Sequence, residues 1–204
     1  MHAELIDRAA EVAAVETLLA EFARDATARG VRVVSGHASQ RRQDVPFAAV
    51  AEVIIGLLRP AAGQPAMPYA IGRDLAALLA QSPSSRRGWR QLYAAVRVAV
   101  DLTAGRNGLV VLLDDLHWAD HGTVELLGYL LRHPCSAGVD LIAAYQPRQV
   151  AGRLATALAA AGDAGRALRF EAGCGVEVVD VISLGVADAG APSEAFLSRG
   201  GAPR

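Results

Sequence analysis

The sequence predicts an α/β fold in which a parallel sheet is covered by helices on both faces. Three observations carry that prediction. The runs LVVLL at 109–113 and VDLIAAY at 139–145 lack the polar alternation of half-exposed strands, as strands do when helices bury both of their faces. Each run is followed by apolar residues at helical spacing, and strand, helix, strand, helix in that order gives parallel neighbours. A β-branched run ending in Gly, VRVVSG at 31–36, stands ahead of both.

The elements follow in order. Over 9–29, Val12, Val15, Leu19, Phe22 and Ala26 recur at helical spacing with Glu and Arg on the other faces, and Gly30 stops the helix. The polar loop HASQRRQD follows the first strand, with Arg41 and Arg42 as exposed loop charges. In DVPFAAVAEVIIGLLRP, Asp44 is placed to cap a helix and Pro46 lies near its first position. Phe47, Val50, Ile54, Leu57 and Leu58 share one face there, and Pro60 ends it. Pro and Gly then surround a short helix at 73–80, and SPSSRRG is a second loop. WRQLYAAVRVAVDLTAG gives a helix carrying Trp89, Leu92, Tyr93, Val96 and Val100, closed by Gly105. The strand at 109–113 leads to a helix at 123–133, and the strand at 139–145 to a helix at 149–161 ending at Gly162. ALRFE at 167–171 is a last short strand. Past 172, VEVVDVISL is strand-like, while GVADAGAPSEAFLSRGGAPR is expected to be a disordered tail.

Composition excludes several classes. With 52% hydrophobic but only 5% aromatic residues, the core must be built mainly from Ala, Val and Leu. Twenty basic against 21 acidic residues, a formal charge of −1, give no surface for nucleic acid or membrane. All 20 basic residues are arginine, so chemistry that needs a lysine is excluded. Cys135 and Cys174 lack CxxC spacing and read as free thiols in a reducing cytosol. Charges throughout the first 20 residues argue against a signal peptide, and no window has the apolar length to cross a bilayer. A cytoplasmic location is expected.

The run into Asp114 and Asp115 has the form of a Walker B strand, in which the first acid holds magnesium through water and the second polarises the attacking water. LVVLLDDLHWAD, followed by GTVELLGYLLRH and DLIAAYQPRQ, resembles the nucleotide-binding domain of the large LuxR-type transcriptional regulators, a branch of the AAA-like signal-transduction (STAND) ATPases. LIDRAAEVAAVETLLAEF looks like that family's amino-terminal box, ARGVRVVSGHASQRRQDVPFAAV like its second strand and following helix, and QVAGRLATALAAAGDAGRALRFE matches in turn. The resemblance covers residues 4–171. It implies a three-layer parallel sheet of the P-loop ATPase type and Mg-ATP as cofactor. It also implies Asp114 as the magnesium ligand, Asp115 as the general base, and Arg8 and Gln146 beside the nucleotide. On this reading 1–171 is a degenerate AAA-like ATPase domain, and 172–204 a strand-like piece and tail.

The departures from the family are informative. Its phosphate loop, GxxxxGK[ST], belongs between the first strand and the helix that ends near Gly30, yet LLAEFARD runs straight into ATARG. The first strand, the loop and much of its helix look deleted, so the sheet is expected to be incomplete. No register supplies a substitute, because the chain has no lysine. Asp7 stands where the family box has Gly, and Gln146 where it has an arginine that senses the terminal phosphate.

The resemblance puts the missing strand between 139–145 and the last strand. Its loss should therefore leave a hole in the central layer and an exposed apolar edge, making the fold marginally stable or pairing the chain with itself or with a full-length regulator. The expected state is a remnant without phosphate loop or helix-turn-helix, defective in ATP binding and hydrolysis and without direct nucleic-acid binding. Two alternatives stand beside it: a Mg-ATP-binding domain completed by another chain, and a nucleotide-independent interaction module. His117 and His121 are four apart but lack a third metal ligand, Arg148 reads as solvated, and Cys135 has no base beside it.

Overall fold

The computed structural model describes residues 2–59, 68–80, 86–136, 138–150, 152–172 and 177–185. Of the tail expected over 185–204 only Gly185 is among the described residues, and 60–67 and 82–85 of the expected SPSSRRG loop lie outside them, the remaining 86–88 being helical. Among the described residues no helix is long and apolar enough to cross a membrane.

Helix α1, His2–Ala28, opens the chain. Gly30 ends it at φ 80°, where the Val31 N–H donates to the Ala26 carbonyl and turns the chain into β1, Arg32–His37. Helix α2, Ala48–Leu58, packs onto β1 so closely that a Cβ on Gly36 would lie 2.2 Å from the Ala49 carbonyl oxygen. Helices α3, Tyr69–Ala80, and α4, Arg86–Ala104, lead to β2, Leu109–Asp114. Then come α5, His121–Arg132, β3, Val139–Tyr145, α6, Gly152–Asp163, β4, Ala167–Ala172, and β5, Glu177–Ser183.

The sheet order is β1-β2-β3-β5-β4. β1, β2 and β3 run parallel, with Val34 opposite Val111 and Val111 opposite Leu141, while β5 is antiparallel to both β3 and β4. One face carries the larger core, built from α2 to α6 around Phe47, Leu57, Leu92, Leu113, Leu127, Leu141 and Leu154. The other face packs Val15 and Leu19 of α1 against Val110, Ile142, Val179 and Val181. The three layers expected from the sequence are present.

Two expectations are corrected. Asp44 and Pro46 do not open α2. The chain turns at Phe47 instead, at φ 60°, and its N–H donates to Asp120 Oδ1 at 2.8 Å. Asp120 also caps α5 by accepting the Thr123 N–H, so one buried carboxylate fixes two helix starts. A distant acceptor outcompetes the local cap because it satisfies a buried N–H that a turn alone would leave orphaned.

Nor does β3 keep an open edge. β5, from the segment read as strand-like, pairs along it from Asp140–Ser183 to Tyr145–Val178. β5 is buried on both faces over residues 178–182, as a strand covered by both layers must be. Its interior acid, Asp180, is buried and accepts from Tyr145 Oη at 2.7 Å and from Arg169 Nε at 2.8 Å. These bonds tie β3, β5 and β4 together and remove the cost of burying a bare carboxylate.

Candidate functional site

The carboxyl ends of β1, β2 and β3 lie on one side of the sheet, the side where open α/β sheets bind ligands. Asp114 is the last residue of β2 and stands opposite His37, the last of β1. Asp115 follows in the left-handed region at φ 54°, a conformation that a short polar side chain tolerates better than most. Its N–H donates to Asp114 Oδ1 at 2.8 Å. A short 3-10 turn, Leu116–Trp118, then buries Leu116 beneath the site.

Burial pushes the Asp114 carboxyl above its ordinary range, and Asp115 and Glu16 of α1 add to that, while the Asp115 N–H and His37 oppose it. Asp115 faces two imidazoles: His37 Nε2 lies 3.7 Å from Oδ2, and His117 Nε2 lies 3.8 Å from Oδ1. The His117 side chain is only 2% exposed. Its Nδ1 accepts the Gln146 N–H at 3.4 Å, which leaves Nε2 to carry the proton toward Asp115.

Behind His37, Glu52 of α2 accepts the His37 N–H at 2.9 Å and pairs with Arg42, which also donates to the His37 carbonyl at 3.0 Å. Burial raises Glu52, but the Arg42 hydrogen bond and the His37 N–H outweigh it and hold the carboxyl below its ordinary value.

The structure thus brings Asp114, Asp115 and the Gln146 backbone together, with His117 between them. Arg8 belongs to α1, but its side chain lies outside the described residues. Arg148 is exposed in the turn after β3. Among the described residues no three His, Cys, Asp or Glu side chains gather as ligands for a metal ion. Cys135 is buried, its thiol pushed up to about 12 first by desolvation and then by Asp101.

Sequence reasoning missed His37, Glu52 and Arg42. Arg42 is no loose loop charge, as its bonds to Glu52 and the His37 carbonyl show. The signal was in the sequence: HASQRR begins where the first strand ends, and in a parallel sheet that is the end next to Asp114.

The direction of β5 decides what else lies on this side. Val178, near its amino end, is opposite Tyr145 at the carboxyl end of β3. The strand beside β3 therefore enters the sheet here and leaves it at the far end. The α1–β1 turn at Gly30 lies at the far end too, beside the amino end of β1. Among the described residues the candidate site presents carboxylates, two imidazoles and Arg42, which is already committed to Glu52.

In comparison with known proteins, the AAA ATPase domain family matches residues 17–143, more than half of the 204-residue chain. No curated protein and no solved structure matches the chain.

Proposed function

The chain belongs to the AAA ATPase domain family, and from that premise we propose that it is a remnant of the ATPase switch of a LuxR-type transcriptional regulator. It keeps the Walker B acids, Asp114 and Asp115, and has lost productive ATP binding and hydrolysis.

The observation that carries this reading is the antiparallel β5 beside β3. In the P-loop arrangement the strand in that slot is parallel, and its carboxyl end opens into the loop and helix N-terminus whose amides hold phosphate. Here the slot is filled by a strand running the other way, and no lysine exists to replace the loop's ammonium. The groups present do not fit a magnesium–triphosphate. Asp114 and Asp115 repel its phosphates, and the nearby guanidinium of Arg42 is held by Glu52. Losing even three charge-assisted bonds removes at least ~4 kcal/mol, on the order of a thousandfold in affinity. What remains at the site is a cluster of acids and imidazoles at the carboxyl ends of the parallel strands.

Calorimetric titration with Mg-ATP tests the proposal, with no saturable binding expected below about millimolar ligand. Micromolar binding that Asp114→Ala abolishes would overturn it, as would turnover of ATP by the purified chain. A helix-turn-helix encoded beside the reading frame would support the regulator origin.

A further inference from the structure

Among the described residues the outermost strands of the sheet are β1 and β4, and the edge of β1 is framed in a particular way. The Arg32 N–H donates to Gly108 and the Ala38 N–H to Asp114, so even-numbered residues of this strand bond toward β2. Odd-numbered residues therefore point their N–H and C=O groups away from the sheet. At His37 those outward groups are taken by Glu52 and Arg42. At Val33 and Ser35 they line an open groove with Arg32, Ile55 and Arg59.

Ile55 is 52% exposed at the middle of this groove, on the α2 turn next to the Gly56 that contacts Val34. Among the described residues no lysine, proline or bulge protects the edge, the devices by which single-copy proteins blunt such strands.

The ends of the edge differ in sign. Arg32 and Arg59 lie at its amino end, where Arg32 also donates to the Gly56, Leu57 and Arg59 carbonyls. At the carboxyl end Glu52, Asp114 and Asp115 outnumber Arg41 and Arg42. A strand added parallel sets like sign against like, whereas an antiparallel copy sets each end against its opposite.

We propose that β1 pairs with β1 of a second copy of this chain about a two-fold axis beside Val34, giving a continuous sheet across a homodimer. Val33 of one protomer and Ser35 of its partner exchange two backbone hydrogen bonds, and the symmetric pair adds two more. The axis brings Ile55 against its own copy and the Arg59 end of one α2 over the Glu52 end of the other, as an isologous interface requires. The proposal is independent of any nucleotide.

Sedimentation of the purified chain over a wide concentration range tests it. A monomer–dimer equilibrium is expected, with the Val33 and Ser35 amides exchanging more slowly in the dimer. Ser35→Pro removes an outward N–H without touching the β1–β2 ladder, and Ile55→Glu places two like charges at the axis. Each is expected to weaken association by about tenfold or more with an unchanged circular dichroism spectrum. Should Ser35→Pro fail to fold, Ile55→Glu decides alone. A monomer at every concentration, or a dimer indifferent to Ile55→Glu, would overturn the proposal.

Discussion

Asp114 is held in a place that favours its neutral form. Burial lifts its carboxyl above the ordinary 3.8. The folded chain thus holds that proton more tightly than the unfolded chain, and its contribution to stability, full below 3.8, is lost as pH rises through the folded value. Asp114→Asn keeps an oxygen for the Asp115 N–H and removes the charge. Its melting temperature should exceed the parent's at about pH 7, and the difference should vanish at about pH 3. An equal melting temperature at both pH values would contradict the burial argument. Glu52 has the opposite sign. Held below its ordinary 4.5, it contributes stability above that value that is lost as pH falls through the folded one. Of this cluster the two aspartates were legible in the sequence, because an apolar strand running into acids marks a sheet end. His37 and Arg42 left a signal in HASQRR, which begins at the strand end beside Asp114, whereas Glu52 left none, because only the α2 contact places it there.

The elements were read well where periodicity or punctuation fixed them and poorly where distant groups did. The helix stop at Gly30 and the strands at 109–113 and 139–145 follow from local chemistry alone. The start of α2 does not, because the partner of Phe47 is Asp120, far along the chain. β5 was legible as a strand, yet its place in the sheet was not, since nothing local distinguishes a central antiparallel strand from a free-standing one. Its role can be measured. Ile182 is fully buried in the larger core, so Ile182→Ala should cost about 2–5 kcal/mol in denaturant unfolding. A loss below half a kcal/mol would show that β5 sits outside the core.

At the scale of the molecule, one sheet serves both hydrophobic clusters. Leu141 faces the larger cluster and Ile142 the smaller, on consecutive residues of β3. Neither layer can lose its packing without stripping a face from the same strands. Fluorescence of Trp89, which packs on the larger core, and far-ultraviolet circular dichroism should therefore report one coincident transition in denaturant. Separate midpoints would mean that α1 and its small cluster open on their own. The α/β class and the parallel pairing of the first three strands were written in the order of apolar runs. The reversal at β5 was not, because strand direction beyond a crossover depends on which slot in the sheet is vacant.

The late arrival of β5 has a consequence during translation. β3 leaves the exit tunnel ahead of β5, so its future neighbour is still inside the ribosome when β3 first becomes available. The nascent chain therefore carries a mostly apolar strand with one edge unpaired until β5 follows it out of the tunnel. Until then that edge is open to pairing with other chains.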